Sequence, residues 1–384
     1  MTVKKAMINF DNAATTFPKP PSVRKAAAEA VMIYGGNAGR GGHELAMRTS
    51  EALYSARETS AAFFGAEPEN TVFTLNCTYA LNMAVQGIMA DGGHLIISSM
   101  EHNSAARPAA ALAAKKQITL SVAEVFPDSL RTAESFRRLI RSDTKAIVCT
   151  LASNVNGQLL PYRLIAELCR EHDICFIADG SQVCGIYDIK LSDGINILCT
   201  SGHKGLYGIT GTGLLITDGK YPIVPIISGG TGSNSLSLFQ PSFLPDSLES
   251  GTQNIIGAIT VGAGIRAISA YGLDKLRSHE EKLCSLFISE LKKIGEASIY
   301  RDSAAQYAPI VAFNIDGFTS EETAAFLADK GFCLRAGYHC AALAHATLGT
   351  KDGTVRFSPS VFNTETEVIK LTNSIKILKN LKNP

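Results

Sequence analysis

The sequence predicts an α/β fold, with a large domain built on a mostly parallel sheet flanked by helices and a smaller α+β domain. Short apolar runs of strand length alternate with helix-like segments through the first half of the chain, a pattern typical of parallel sheets. After about residue 260 the alternation gives way to an amphipathic helix and short strands. The 384 residues suffice for more than one domain. We expect a large domain over residues 15–260 and a small domain formed by residues 1–14 and 261–384.

Helix-like and strand-like segments follow one another in the first half. In chain order the helix-like segments are SVRKAAAEAVMIYG, SEALYSARETSAAFFG, TYALNMAVQGIM and LIAELCREH, and the strand-like segments are TVFTLN, HLIISSM, KAIVCTLAS, DICFIADG, INILCTSG and GTGLLITDG. Gly65 is expected to end the second helix, because glycine readily adopts the conformation that closes a helix. In the second half GAITVGAGIRAISAYG and EKLCSLFISELKKIG are helix-like, IVAFNI, GFCLRAG and TVRFS are strand-like, and further helices begin near Ser320 and Thr364.

The composition favours a compact globular protein whose main partner is neither a nucleic acid nor a membrane. Hydrophobic residues make up 46% and charged residues 18%, and 36 Lys plus Arg balance 35 Asp plus Glu. No apolar run reaches the roughly 18 residues of a membrane helix, and the apolar stretch after Lys5 stops at Asp11, too short for a secretion signal. Nine cysteines, an odd number, include Cys149 and Cys175 in apolar runs, and no C-x-x-C pair occurs. We expect a cytoplasmic protein with no disulfide framework and no metal site.

Polar clusters follow several of the predicted strands. They are EHNS at 101–104, SNVNG at 153–157, DGSQ at 179–182 and SGHKG at 201–205. Open α/β sheets bind ligands at the carboxyl ends of their strands. We therefore expect these clusters to line one site.

Two residues in these clusters point to chemistry with an aldehyde cofactor. Lys204 is flanked by glycine at a strand end, and a lysine can form a Schiff base, especially where its surroundings lower its pKa. Asp179 ends an apolar strand, where an acid needs a partner, and such an acid can keep a cofactor ring nitrogen protonated. The alternatives are a surface lysine in a turn and an ordinary helix N-cap.

The sequence also offers hydrogen-bond donors for a phosphate group. Asn76, Cys77 and Thr78 precede a predicted helix whose N–H groups would face an anion, although Thr78 taken alone is better explained as a simple cap. Ser201 and His203 can add donors.

Cys340 lies in the polar loop RAGYHCAALAH, where Arg335 and His339 favour the thiolate; the alternative is an incidental surface thiol. Arg356 in TVRFS suits the capture of a carboxylate, or else forms a surface ion pair. Signatures of other classes of enzyme are missing: neither G-x-G-x-x-G, nor a P-loop, nor G-x-S-x-G occurs.

Taken in order, these segments resemble a known family over nearly the whole chain, from FDNAATT to VRFSPSVFNT. The family is the class V aminotransferases, fold-type I enzymes that use pyridoxal 5'-phosphate, and within it the cysteine desulfurases and selenocysteine lyases. The resemblance implies a homodimer that acts on L-cysteine or L-selenocysteine. A protein or a thiol would accept the sulfur.

The resemblance also implies roles for single residues. Lys204 would hold the cofactor, Asp179 would pair with its ring nitrogen, and Cys340 would carry the persulfide. Around the ring, the implied contacts are Gln182 at the ring oxygen and His102 stacked on the ring as an acid or base. At the phosphate, they are Thr78, Ser201 and His203, together with Thr252 of the other subunit. Around the substrate, they are Asn154 and Arg356 at the carboxylate, and Asn12 and Ala14 in a loop that lines the site.

The implied reaction converts L-cysteine to alanine and leaves a persulfide on Cys340. Two alternatives remain open: another reaction on this fold, such as selenocysteine lysis or β-elimination from cysteine or cystine, and a non-catalytic scaffold that binds a sulfur carrier. The chain departs from many desulfurases with a short cysteine loop by having Tyr338 in place of a second histidine, and in the stretch 341–354.

Overall fold

The computed structural model describes residues 7–39 and 41–380. Its helices are α1 (Pro21–Ile33), α2 (Glu44–Phe64), α3 (Cys77–Ile88), α4 (Asn103–Ala114), α5 (Ser129–Arg137), α6 (Tyr162–Glu171), α7 (Ile255–Tyr271), α8 (Leu273–Ile294), α9 (Ser320–Asp329), α10 (Ala342–Leu348) and α11 (Glu365–Asn380). Its strands are β1 (Ile8–Asn9), β2 (Thr71–Thr74), β3 (His94–Ser98), β4 (Thr119–Ala123), β5 (Thr144–Thr150), β6 (Cys175–Asp179), β7 (Ile197–Ser201), β8 (Gly213–Thr217), β9 (Ala297–Ile299), β10 (Val311–Ile315), β11 (Phe332–Cys333) and β12 (Val355–Phe357).

A seven-stranded sheet forms the centre of the molecule, in the order β2-β8-β7-β6-β5-β3-β4. Strand β8 is antiparallel to both of its neighbours, and the other pairs are parallel. The predicted α/β class with a mostly parallel sheet is confirmed. Because β8 returns beside β7, the connection between them stays at the edge of the sheet where β7 ends, and this connection carries Lys204.

Both faces of this sheet are buried, and alternate residues of its strands belong to two different apolar clusters. Along β5, Ala146 and Val148 pack into one apolar cluster, whereas Ile147 and Cys149 pack into another on the opposite face, as the two-residue period of a strand requires. Cys149 and Cys175 are fully buried, which confirms them as core residues.

The second layer of structure is a small antiparallel sheet, β12-β10-β9, covered by helices. Its core is rich in aromatic rings: Phe287 stacks on Phe357 with ring centroids 4.2 Å apart. The N-terminal segment joins this core, because Phe10 contacts Phe357 at 4.8 Å and β1 pairs in parallel with β11. The domain division at residue 260 stays a prediction; helix α7 spans it and buries Val261 and Ile265 in the cluster around the large sheet.

Among residues 7–39 and 41–380, no single helix combines the length and apolarity needed to cross a membrane. Helices α7 and α8 reach that length and composition only when they are taken together, and they are bent by 83° at the break between them.

Candidate active site

The predicted polar clusters meet at one edge of the large sheet. Strands β6 and β7 are parallel neighbours that end at Asp179 and Ser201. Ser201 pairs with Gly213 at the start of β8. A Cβ atom on Gly213 would lie 2.4 Å from the carbonyl carbon of Asn76, so the start of β8 lies directly against the start of α3. This close approach brings Asp179, Ser201 and the N-terminus of α3 to the same place.

Lys204 follows β7 in a tightly packed turn. A Cβ atom on Gly205 would lie 2.3 Å from the carbonyl oxygen of Cys184, so only glycine lets this turn approach the neighbouring connection. Burial lowers the pKa of Lys204, and the positive charges of Arg356 and Arg335 lower it further, against the opposing pull of Asp179 and Cys77. A neutral amine is the form that attacks an aldehyde.

Asp179 is 3% exposed, and one of its carboxylate oxygens accepts two hydrogen bonds. Its Oδ1 accepts a hydrogen bond from the Ser181 N–H at 2.9 Å and from the Cys77 thiol at 3.5 Å. Burial, reinforced by the negative charge of Asp179 and by Cys199, raises the pKa of Cys77 well above its usual range, so Cys77 stays a thiol and remains a donor. The structure thus places Cys77 against the acid, at the first position of α3.

His102 both caps a helix and faces the site. Its Nδ1 accepts the Ser104 N–H at 3.0 Å at the start of α4, which leaves the proton of the neutral ring on Nε2. Burial lowers its pKa to about 4, although Asp179 acts in the opposite direction. The imidazole is therefore neutral at pH 7 and presents Nε2–H to a partner.

A group of donors without partners lies beside the start of α3. The Ser201 hydroxyl and His203 Nδ1 are buried and have no hydrogen-bond partner in the described structure. The first N–H groups of a helix, here those of Cys77 and Thr78, have no partner within the helix. Burial, Lys204 and Lys19 lower the pKa of His203 to about 4. This arrangement suits a phosphate group, which needs several donors at a helix N-terminus.

The N-terminal segment lies against the Lys204 turn. The Thr16 hydroxyl donates to the Lys204 carbonyl at 3.0 Å, and Lys19 Nζ donates to the His203 carbonyl at 2.7 Å. Gln182 donates to the Ala13 carbonyl at 3.3 Å. These hydrogen bonds hold the N-terminal segment, which belongs to the side of the small sheet, against the site.

Asn12 and Ala14, the two residues expected to line the substrate site, lie in this same loop. Asn12 lines a cavity of about 30 Å³ together with Lys204, and its side chain donates to the Ser358 carbonyl at 3.1 Å. The Ala14 N–H donates to the Asp11 carbonyl at 3.2 Å. Both contacts shape the loop itself, so the substrate roles of Asn12 and Ala14 stay predictions.

Arg356 is buried beside the site and joins three segments. Its Nη2 donates to Asp11 Oδ1 at 2.7 Å, and its Nη1 donates to the Asn154 carbonyl at 2.9 Å. Its Nε has no partner in the described structure. The Asn154 amide donates to the His339 carbonyl at 2.7 Å. The two residues expected to bind a carboxylate therefore lie together and contact the loop that carries Cys340.

Cys340 is an exposed cysteine at the mouth of this region. Its sulfur lies 3.6 Å from Arg335 Nη2, and the Asn103 N–H, next to His102, donates to its carbonyl at 2.8 Å. Cys340, His102 and Thr78 line one groove of about 490 Å³. The exposed sulfur therefore lies beside a cation at the mouth of the groove.

The family follows from a match that spans nearly the whole chain. Residues 8–371 match the family described as aminotransferase class-V. The chain belongs to this family. Among curated class V relatives, a probable cysteine desulfurase of Pyrococcus abyssi is 30% identical over 94% of this chain and 92% of its own length. The cysteine desulfurase of Salmonella gallinarum is 30% identical over 86% of this chain and 84% of its own length.

Solved structures agree with this assignment of the chain to class V. An apo cysteine desulfurase from Thermococcus onnurineus superposes with a TM-score of 0.90 at 30% identity, over 97% of this chain and 94% of the other. The cysteine desulfurase CsdA of Escherichia coli, in an S-sulfonic acid form, gives a TM-score of 0.88 at 25% identity, over 98% and 95% of the two chains. These matches confirm the fold-type I architecture.

Pyridoxal phosphate, the cofactor of class V aminotransferases, fits the residues present. The unpartnered Ser201 hydroxyl and His203 nitrogen are donors for its phosphate. Lys204, with its lowered pKa, is the amine that can bind its aldehyde, and the buried Asp179 is an acid for its ring nitrogen. The individual roles of these residues stay predictions.

Thr252 is the one predicted cofactor residue that lies outside this cluster. It lies in the exposed stretch just before α7 and is not among the residues that line the groove or the small cavity. The prediction assigns Thr252 to the site of a second subunit, and it stays a prediction.

Sequence reasoning missed two acidic residues of the site. Asp11 pairs with Arg356, and Glu101 is fully buried, with Oε1 accepting the Ser98 hydroxyl at 2.5 Å and the Thr150 N–H at 2.7 Å. Both stand in segments that the sequence analysis singled out, FDNAATT and EHNS. Their position beside a predicted site residue was the available signal.

Proposed function

We propose that this chain is a cysteine desulfurase that uses pyridoxal phosphate to move the sulfur of L-cysteine onto Cys340. The observation that carries the proposal is the position of Cys340: this exposed thiol contacts Arg335 and shares a groove with His102. The names of the relatives support the proposal as well.

Each residue of the site then has a task in substrate binding or proton transfer. Arg356, with its unpartnered Nε, would bind the substrate carboxylate together with Asn154. Bound here, pyridoxal phosphate would supply the electron sink that makes the α-carbon proton of an amino acid acidic. Lys204 Nζ would take up that proton, because burial favours its neutral form. His102 would present its Nε2–H as a hydrogen-bond donor to the bound cofactor or substrate.

The sulfur step uses Cys340 as the nucleophile. Its thiolate attacks the substrate sulfur, so that a new sulfur–sulfur bond forms while the carbon–sulfur bond of the substrate breaks. The electron pair of the broken bond stays on the carbon fragment, which takes up a proton and leaves as alanine. Cys340 keeps the transferred sulfur as a persulfide, which a thiol or an acceptor protein can then remove.

A homodimer belongs to the same proposal. Thr252, which is exposed just before α7, would contribute to the phosphate site of the other subunit. The stretch before it exposes Leu236, Leu238 and Phe239 almost completely. Apolar side chains clustered in this way are typical of protein–protein contacts.

Formation of alanine from L-cysteine in the presence of a reductant tests the proposal. We expect the wild type to form alanine, and Cys340→Ala and Lys204→Ala to lower the rate at least about a hundredfold, because each removes a reacting group. Cys333→Ala is the matched control, since Cys333 is a half-buried thiol outside the site and should leave the rate unchanged.

Two outcomes would contradict the proposal. If Cys340→Ala forms alanine as fast as the wild type, Cys340 is not the sulfur acceptor. If the purified protein binds pyridoxal phosphate but forms no alanine, L-cysteine is not the substrate, and L-selenocysteine is the next compound to assay.

A further inference from the structure

Three rings, those of Tyr338, His339 and His345, pack together at the loop that carries Cys340. His339 and His345 are each 2% exposed, and their ring centroids lie 5.7 Å apart with an interplanar angle of 25°. Tyr338 meets the His345 ring edge-on at 5.5 Å, and its hydroxyl donates to the Lys351 carbonyl at 2.7 Å. None of these rings takes part in the sulfur step proposed above.

The two imidazoles are also anchored to the segment that leads into β12. His339 Nε2 lies 3.0 Å from the Thr354 carbonyl and 3.1 Å from its hydroxyl. His345 Nδ1 lies 2.7 Å from the Thr350 hydroxyl. Each ring therefore has one hydrogen-bonded nitrogen, while its other nitrogen is buried without a partner in the described structure.

The backbone above this stack is strained. His339 has a φ of 47° and Cys340 a φ of 57°, the left-handed region that side chains other than glycine rarely occupy. Residues in this region persist only where surrounding contacts hold them. Two contacts hold the carbonyl groups: Asn154 donates to His339, and the Asn103 N–H donates to Cys340. The stack holds the side chain of His339.

We propose that His345 is a positioning residue for Cys340. Its ring is the wall against which His339 packs, and His339 in turn keeps the loop in the left-handed conformation that sets the Cys340 sulfur 3.6 Å from Arg335 Nη2. The catalytic meaning of this position rests on the proposed function, but the position itself can be measured without turnover.

In this proposal, ring packing and not charge keeps His339, and with it the Cys340 loop, in position. Burial, reinforced by the positive charge of Arg356 and by His345, lowers the pKa of His339 to about 2, and burial likewise lowers the pKa of His345. Both rings are therefore neutral at pH 7. Since His345 Nε2 has no partner in the described structure, a phenyl ring can replace the imidazole with the loss only of the contacts that Nδ1 makes with the Thr350 hydroxyl and carbonyl.

The test is the rate at which iodoacetamide alkylates Cys340 in the cofactor-loaded protein at pH 7, followed by mass spectrometry of the peptide that contains it. Because Cys340 is already exposed, the position of its sulfur beside Arg335, and not its accessibility, sets the rate. We expect His345→Ala to slow alkylation about fivefold or more, because the loop then no longer holds the sulfur beside Arg335. His345→Phe should stay within about twofold of the wild type, because it keeps the stack.

A second pair of variants separates positioning from a general loosening of the fold. In an Arg335→Gln background, His345→Ala should have little further effect, since the two changes act through the same contact. His172→Ala is the matched control, because this histidine is exposed at the end of α6. Unchanged or faster alkylation in His345→Ala, or equal slowing by His345→Phe, would overturn the inference while leaving the desulfurase proposal intact.

Discussion

The buried carboxyl groups of Glu101 and Glu280 make the protein sensitive to pH at the scale of single residues. Glu280 is 5% exposed and lines the small cavity next to Lys204. Burial raises its pKa to about 8, although the Val361 N–H donates to it and acts in the opposite direction. Burial also raises the pKa of Glu101 to about 8. Both carboxyl groups are therefore protonated in the folded protein at neutral pH.

The sign of the pH effect follows from proton binding. Between its ordinary pKa of 4.5 and its folded pKa of about 8, Glu280 binds a proton in the folded state that it lacks in the unfolded state. Its contribution to stability is complete below pH 4.5 and is lost as the pH rises toward 8. Two histidines act in the opposite direction in the lower part of this range: burial lowers the pKa of His102 and of His203 from 6.5 to about 4, so both add stability as the pH rises from about 4 to 6.5.

We predict that Glu280→Gln flattens the fall in stability between pH 6.5 and 8. Each carboxyl contributes a slope of up to about 1.4 kcal/mol per pH unit in this window, and the amide contributes none. Urea unfolding of wild type and variant at several pH values measures the difference. Glu281→Gln, a change at the exposed neighbour, is the control and should keep the wild-type slope. A Glu280→Gln slope equal to that of the wild type would show that Glu280 is charged in the folded protein.

At this same scale, the sequence predicted the residues whose chemistry is unusual for their position. Lys204 at a strand end and Asp179 at the end of an apolar run stand out locally, and the structure brings both to one site. Asp11 could not be predicted in this way, because its partner Arg356 lies 345 positions further along the chain. Long-range ion pairs leave no local pattern.

At the scale of elements, α7 supports the turn that carries Lys204. A Cβ atom on Gly264 would lie 1.9 Å from the carbonyl oxygen of Leu206, two residues after Lys204. Gly262 in the same helix has more room, since its Cβ atom would lie 3.3 Å from the nearest atom, in Ala56. The helix and the turn therefore touch backbone to backbone at Gly264.

We predict that Gly264→Ala destabilises the protein by about 1–3 kcal/mol, the usual cost of forcing a group into a packed core. Alanine favours helices over glycine by about 1 kcal/mol, but an overlap this close outweighs that gain. The variant should also bind pyridoxal phosphate more weakly, because the Lys204 turn must shift. Gly262→Ala is the matched control and should change both quantities less. Thermal unfolding and cofactor titration measure them, and an unchanged melting temperature in Gly264→Ala would contradict the account.

Most helices and strands were predictable, because their periodicity is strong. The exceptions have physical reasons. Strand β4 lies at the edge of the sheet, and most of its side chains are partly exposed, so it lacks an apolar run. Helix α4 is rich in alanine and contains Pro108, which weakens a helix pattern. Helix α10 has only seven residues.

At the scale of the whole molecule, the stretch between β8 and α7 forms an exposed apolar surface. It exposes Leu236, Leu238 and Phe239 and ends near Thr252. The proposed homodimer would cover these apolar side chains and deliver Thr252 to the second site. The sequence alone does not reveal such a surface, because an exposed apolar segment and a buried strand can contain the same apolar residues.

We predict that the wild type sediments as a dimer and that Leu238→Asp with Phe239→Asp produces a monomer that binds pyridoxal phosphate more weakly. A buried charge without a partner opposes an apolar contact by several kcal/mol. Leu130→Asp is the matched control, because Leu130 is 71% exposed on α5 and should leave the dimer intact. A wild-type monomer that holds its cofactor tightly would contradict the proposed interface.

The central claim is that sulfur moves from L-cysteine to Cys340, and a single-turnover experiment tests it most directly. The cofactor-loaded protein is mixed with L-cysteine without a reductant, trapped with an alkylating reagent and mapped by mass spectrometry. The account predicts one added sulfur atom on the peptide that contains Cys340, and none there in Lys204→Ala. Alanine released without added sulfur at Cys340, or sulfur found on another cysteine, would contradict it.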